Sequence, residues 1–221
     1  MAQLDSKVVE EIMKIGIIGS GDIGGTLGRL WAHTGHEVMF SSRHPEELKP
    51  MAEDAGAKTG TLEAAVAFGD VILLAIPFGK VSEVAQQVGR LEHKILIDAT
   101  NPYPQRDGDV ARQVIEDDSQ TATGYVASQF PGACTIKAFN SIYFKVLEEQ
   151  AFRAGDERIA VQVCGNDPQA KQTVKQLIED MGFAPQDIGD LNRGKLFEPD
   201  APLYNKNLKI GEAETLLHQL D

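Results

Sequence analysis

The chain has 221 residues, of which 42% are hydrophobic and 24% charged, the proportions of a globular protein with core enough for one large domain or a domain with a small appendage. Thirty-three acidic against 21 basic residues leave a net charge of −12, which excludes a nucleic acid as the expected partner because its phosphates would be repelled. The longest apolar run, Val71 to Phe78, is far short of a membrane span, and the acidic stretch MAQLDSKVVEEIMK lacks the hydrophobic centre of a signal peptide. The expectation is a cytoplasmic protein that engages no membrane. Cys134 and Cys164 lie in apolar runs without metal-type Cys/His spacing and read as reduced core thiols, so no metal is expected.

In chain order, Ile15, Gly16, Ile17 and Ile18 read as a short buried strand. Gly19, Gly21 and Gly24 follow with the spacing G-x-G-x-x-G. After them Ile23, Leu27, Leu30 and Trp31 make one helical face, with Gly35 as its C-cap. In that strand-to-helix setting the first glycine makes the tight turn, the second lets a pyrophosphate approach, and the third lets helix and strand pack closely. Backbone N–H groups and the positive helix end then face the phosphates. Gly19, Ser20, Gly21, Asp22, Ile23 and Gly24 are therefore candidate dinucleotide ligands. A glycine-rich turn that binds no nucleotide is the alternative, and the strand before and helix after weigh against it.

A second strand, His36 to Phe40, ends in Ser41, Ser42 and Arg43. An NAD-binding unit carries an acid here for the ribose 2′-hydroxyl, whereas an arginine accommodates a 2′-phosphate. Arg43 at this offset, with two hydroxyls before it, predicts NADP(H) as cofactor. A helix over Glu46 to Ala55 must start at or be broken by Pro50. Thr59 and Thr61 bound a short strand and cap a helix through Phe68. Val71 to Ile76 reads as a strand buried on both faces. It delivers Ile76, Pro77 and Phe78 to the carboxyl edge of the sheet, where ligands bind. Phe78 reads equally well as a ring stacked on the cofactor or as a cover over the core.

Val81 to Val88 reads as a helix and Ile95 to Asp98 as a strand leading to Asn101. Residues 103 to 119, polar and acidic, predict a mobile loop at the active-site edge. A helix over Thr123 to Phe130 leads to a sixth strand, Thr135 to Phe139, and Asn140. Six alternations of strand and helix predict an α/β doubly wound parallel sheet, a Rossmann-type domain over residues 1–141. Beyond it a helix near Tyr143 to Gln150, a strand at Ile159 to Val163, a helix capped by Asp167 and Pro168, and a strand at Phe183 to Ile188 are expected. With the polar tail and a final helix, residues 142–221 read as a small αβ extension on the substrate side of the cofactor cleft.

With these motifs the chain resembles the NADPH-dependent coenzyme F420 reductases and their bacterial relatives, over roughly Lys14 to Gly211. IGIIGSGDIGGTLG is similar to that family's dinucleotide loop, SSR to its 2′-phosphate grip, LLAIPF to the strand bordering the nicotinamide, and the Asn101-Pro102 pair and KAFN (Lys137 to Asn140) to its later strand ends. The resemblance implies that Asn101, Ala138 and Asn140 line the cofactor. It also implies that GDLNRGKLFEP, with Leu196 and Glu198, lies near the substrate cleft, and that coenzyme F420 or a flavin is the acceptor.

Hydride transfer between two aligned rings needs positioning rather than a nucleophile, so no catalytic side chain is assigned. No Tyr-x-x-x-Lys occurs: the residues four after Tyr103, Tyr125, Tyr143 and Tyr204 are Asp107, Gln129, Leu147 and Leu208. The chain after Asn140 is too short for the large helical domain of a 3-hydroxyacid dehydrogenase. Lys137 is the one base near the cleft that could act as a proton donor, and it reads rather as a strand-end lysine that positions phosphate or faces solvent. Two functions follow: an NADP(H)-dependent oxidoreductase passing hydride to a small flavin-like or deazaflavin acceptor, or a non-catalytic NADP(H)-binding sensor. Base rates make a homodimer the default assembly.

Overall fold

The sheet of this computed structural model, which describes residues 11–220, grows in both directions from β1 (Lys14–Ile18). Most of the segment weighed above against a signal peptide, residues 1–10, lies outside the described residues. On one side α1 (Asp22–His33) leads to β2 (Glu37–Ser41), and α2 (Lys49–Ala55) to the edge strand β3 (Lys58–Gly60). Pro50 sits in the first turn of α2, where its missing N–H leaves no helical bond unmade, and a 3₁₀ turn over Pro45–Leu48 precedes it. α3 (Leu62–Phe68), capped by the Thr61 hydroxyl, carries the chain back across β1 to β4 (Val71–Leu74).

From β4 the chain runs through α4 (Val81–Val88), β5 (Ile95–Asp98), α5 (Pro104–Asp107), α6 (Asp109–Glu116) and α7 (Ala122–Gln129) to β6 (Cys134–Ala138). Then come α8 (Phe144–Gln150), β7 (Ala160–Gly165), α9 (Pro168–Asp180), β8 (Ala184–Gly189) and α10 (Ile210–His218). The strand order is β3-β2-β1-β4-β5-β6-β7-β8, parallel throughout except between β6 and β7. This is the α/β doubly wound sheet that the alternating pattern predicts, with one reversal after its sixth strand. Residues 142–220 extend that same sheet, and one hydrophobic cluster runs from Ile15 on β1 to Phe183 beside β8.

The stretch expected as a mobile loop is a correction. Residues 103–119 carry α5 and α6, and Ala111 and Val114 on α6 are buried against the cluster around Phe78. Of the acids that suggested a loop, Asp107 lies on α5, Asp109 and Glu116 on α6, and Asp117 and Asp118 just after it, and the two short helices carry too few apolar positions to register in a polar sequence. Among the described residues no helix is long and apolar enough to cross a membrane. Both cysteines are free thiols, and burial pushes Cys164 up to about 12.

The two halves of the sheet are joined through α1. Trp31 is fully buried, its indole N–H donates to the Leu177 carbonyl on α9 at 3.1 Å, and its ring meets Phe139 edge-on at 5.7 Å. His36 accepts the Met13 N–H at Nδ1 (3.2 Å), which leaves Nε2 to donate to Asp180 at 3.0 Å. W31A is expected to cost about 3–5 kcal/mol in urea unfolding, from the lost ring volume and the orphaned Leu177 carbonyl. A loss below about 1 kcal/mol would mean that the α1–α9 contact does not join the halves.

Candidate functional site

The turn after β1 is made by two backbone contacts. Gly19 has φ +94°, and a Cβ there would lie 2.3 Å from the Ala75 carbonyl oxygen beyond β4. A Cβ on Gly24 would lie 2.0 Å from the Gly19 carbonyl oxygen. Only glycines let α1 start this close to the ends of β1 and β4. The helix begins at Gly21 with no side-chain cap, and a methyl at Gly21 would meet no protein atom within 4 Å. The N–H groups of the first turn therefore face open space at the point where the strand order reverses.

A cavity of about 560 Å³ opens on the β2 side of this turn, lined by Gly19, Ser20, Ser41, Ser42, Arg43 and Lys80 among others. Ser41 is buried and its hydroxyl donates to the Ile17 carbonyl at 2.6 Å, so its proton is used inside the protein. Ser42 accepts the His44 N–H at 3.0 Å and keeps its own proton. Arg43 is exposed and makes no hydrogen bond or ion pair among the described residues. Lys80 pairs with Glu83 at 2.8 Å, and that bond and charge, helped by Arg43, hold the Glu83 carboxyl below its ordinary range. The rim thus carries two cations, Arg43 and Lys80, and two carboxylates, Glu63 and Glu83, with Arg43 the cation left unpaired among the described residues.

A second cavity, also about 560 Å³, shares Ile76 and Pro77 with the first. Asp22, Ile23, Asn101 and Asn140 line it, and its aromatic wall is Tyr103, Phe139, Tyr143, Phe144 and Tyr204. Asn101 and Asn140 hold the ends of β5 and β6 together: Asn101 Nδ2 donates to the Asn140 carbonyl (2.7 Å), and Asn140 Nδ2 to Asn101 Oδ1 (3.1 Å) and the Phe197 carbonyl (2.8 Å). The Tyr103 and Tyr204 hydroxyls bond each other. Burial first, then Tyr103, pushes Tyr204 above the ordinary phenol range. The Arg106 guanidinium lies 4.9 Å from the Tyr103 ring centroid and donates to the Asn101 carbonyl at 2.9 Å.

Of the expected residues, Gly19, Ser20, Ser41, Ser42 and Arg43 line the first cavity, Asp22, Ile23, Asn101 and Asn140 the second, and Ile76 and Pro77 both. Gly21 and Gly24, which form the turn itself, and Phe78 and Ala138 line neither. Phe78 is 1% exposed and packs on Tyr125 at 5.3 Å, which resolves its double reading in favour of core cover. Ala138 is fully buried, and its neighbour Phe139, at φ +65°, reaches the cavity instead. Leu196 and Glu198 also stay outside both cavities, Glu198 accepting the Ala122 N–H at the start of α7 (3.1 Å). Lys137 corrects the solvent-facing reading: it is fully buried, 3.2 Å from both Asp98 Oδ2 and the Thr100 carbonyl. Asp98 is its register partner across β5 and β6, and a charge of opposite sign directly opposite is what permits such burial.

Sequence reasoning missed Tyr103, Arg106, Tyr143, Phe144 and Tyr204. Arg106 and Tyr103 are positioned by Asp107, which accepts the Tyr103 N–H (3.0 Å), the Gly79 N–H (3.1 Å) and two bonds from Arg106. Burial alone would raise this carboxyl, but those bonds outweigh it and hold the group below its ordinary 3.8. Asp107 therefore stabilises the fold above that value, and its contribution fades as pH falls through the lower folded value. The stability gap between wild type and D107N is expected to be constant down to about pH 5 and to shrink below about pH 4 in urea unfolding. A gap unchanged across that range would remove Asp107 from this role.

Residues 14–102 match the family described as NADP oxidoreductase, coenzyme F420-dependent. The chain is 31% identical over 188 residues to the metalloreductase STEAP3 of Rattus norvegicus, which covers 84% of this chain and 36% of that protein. It is 29% identical over 194 residues to the metalloreductase STEAP2 of Mus musculus, 83% of this chain and 35% of that one. The chain thus spans about a third of the length of the curated relatives it matches. A hypothetical protein, SMa0349 of Sinorhizobium meliloti, superposes with a TM-score of 0.77 at 27% identity, covering 90% of this chain and 96% of that one. A candidate F420-dependent NADP-reductase of Arthrobacter sp. FB24 shares the fold, with a TM-score of 0.70 at 22% identity over 94% and 91% of the two chains. Residues 14–102, which hold the glycine turn and the Ser41–Arg43 strand end, are thus the part of the chain that matches the family of coenzyme F420-dependent NADP oxidoreductases.

Proposed function

We propose that the protein is an NADPH-dependent oxidoreductase, its cofactor lying across both cavities and its acceptor in the second. The observation that carries this reading is the junction at Ile76 and Pro77, where two cavities of equal size meet beside an uncapped helix start. Ser42 and Arg43, which is unpaired among the described residues, fit a 2′-phosphate at one end. The N–H groups around Gly21 fit the pyrophosphate. Bound there, NADPH supplies a hydride. The protein's own work is to hold the two reactants in register and to exclude water, and such alignment can remove about 7–11 kcal/mol of barrier.

The aromatic wall of the second cavity favours a flat, conjugated acceptor, a flavin or deazaflavin, because rings of that kind stack on Tyr and Phe faces. The curated relatives named as metalloreductases make a ferric chelate a further acceptor to include. The test is NADPH oxidation followed at its absorbance band with coenzyme F420, FMN, FAD or ferric chelate. Turnover with a ring acceptor supports the proposal; binding of NADPH without oxidation by any of them favours a sensor. R43A is expected to weaken NADPH by about 1.5–3 kcal/mol in calorimetry, the loss of one charge-assisted contact, with NADH nearly unchanged. Equal weakening of both cofactors would refute the 2′-phosphate role.

A further inference from the structure

Among the described residues that line the second cavity, only Asp22 and Arg106 carry charge, and Asp22 also lines the small cavity at the start of α1 with Ser20 and Gly21. Arg106 is therefore the cation of the second cavity, and it lies beyond residue 102, where the family match ends. Its guanidinium is held by Asp107, Asn101 and Tyr103. Nε and Nη2 form a fork on the Asp107 carboxylate (3.0 and 2.8 Å), Nη2 also donates to the Asn101 carbonyl (2.9 Å), and Cζ lies 4.9 Å from the Tyr103 ring centroid. These bonds use Nε and Nη2 and leave both protons of Nη1 without a partner among the described residues.

Asp107 quenches only part of this charge. Its side chain is 1% exposed against 45% for Arg106, and the same carboxylate accepts the Gly79 and Tyr103 N–H groups. The anion of the pair is enclosed and shared with backbone donors, whereas the cation keeps an open edge. The asparagine amides nearby offer no substitute, because Asn101 Nδ2 is spent on the Asn140 carbonyl and the Tyr103 hydroxyl, and Asn140 Nδ2 on Asn101 Oδ1 and the Phe197 carbonyl.

We propose that Nη1 of Arg106 binds an oxyanion carried by the acceptor and so selects anionic acceptors over neutral ones. This rests on the reading that the acceptor occupies the second cavity. A guanidinium already fixed in its plane loses little freedom when it takes a ligand, so its two remaining protons act as a preset grip for a phosphate or carboxylate. Arg106 sets specificity through the acceptor's charged group and takes no part in the movement of hydride.

FMN and riboflavin carry one ring and differ by a terminal phosphate, so the ratio of their affinities isolates the grip. In flavin fluorescence quenching with NADP⁺ present, wild type is expected to bind FMN about tenfold tighter than riboflavin (about 1.4 kcal/mol). In R106M that ratio should fall below about threefold, because the charge-assisted contact is gone while any loss common to both flavins cancels. R106K, which keeps the charge without the fork, should retain an intermediate ratio. Raising NaCl from about 0.05 to 0.5 M should shrink the wild-type ratio, an arm that needs no variant. Wild-type affinities within twofold of each other, no binding of either flavin, a ratio that survives R106M, or an equal loss of NADPH binding in R106M would overturn the assignment. NADPH oxidation is scored separately: a ratio that depends on Arg106 without turnover of any acceptor upholds the grip and removes the hydride-transfer reading, and turnover without the ratio does the reverse.

Discussion

The approach of the Gly19 backbone to the Ala75 carbonyl is the contact on which the site depends. It brings the ends of β1 and β4, the two strands at the reversal of strand order, within one residue's thickness of each other. Gly24 then brings the first turn of α1 down onto the same turn. With a Cβ at either position the helix start would have to move away from the sheet edge by an ångström or more. The N–H groups would then point past the junction at Ile76 and Pro77 rather than at it. The geometry that serves phosphate binding is thus a packing constraint first and an electrostatic one second.

Electrostatics enters through local arrangement. The chain as a whole is strongly acidic, yet at the first cavity Arg43 is unpaired among the described residues, and Lys80 beside it is matched by Glu83. Arg43 is thus the cation of this cavity available to a dianion, while Lys80 sits in an exposed pair that contributes little to stability. Deeper in, Lys137 and Asp98 neutralise each other with no access to solvent. Lys137 stood out in the sequence as the one base near the cleft, but burial on both sides makes the pair part of the floor that supports the Asn101 and Asn140 strand ends.

What was legible in the sequence is what depends on neighbours in the chain. The glycine turn, the buried strands, the caps at Thr61 and Asp167, and the Ser41–Arg43 strand end all follow from patterns a few residues long. What was not legible depends on cross-sheet or long-range partners. Lys137 could have been matched to Asp98 by noticing that each charge sits four residues into an apolar strand, but only once β5 and β6 are known to be neighbours. Tyr103 and Tyr204 stand 101 residues apart, and nothing local to either predicts that their hydroxyls meet. Phe78 was ambiguous for a related reason: it follows a buried strand, and only the backbone turn after the strand decides whether its ring covers the core or reaches the cleft.

The two cavities also differ in where their walls come from. The family match ends at Pro102, one residue before Tyr103. Every residue of the first cavity lies inside it, whereas Tyr103, Arg106, Phe139, Tyr143, Phe144 and Tyr204 lie beyond it. The family likeness therefore bears on the whole of the first cavity, whereas most of the wall of the second lies outside it. That wall is held by the irregular tail. Asn140 bonds the Phe197 carbonyl, the Asn205 N–H bonds the Ser141 carbonyl at 3.1 Å, and Tyr204 bonds Tyr103. Three bonds from one polar segment thus complete a cavity whose other wall is the sheet edge. The shape of the second cavity is then a property of tail position as much as of any single side chain, and the tail meets it without contacting the glycine turn through any of these bonds.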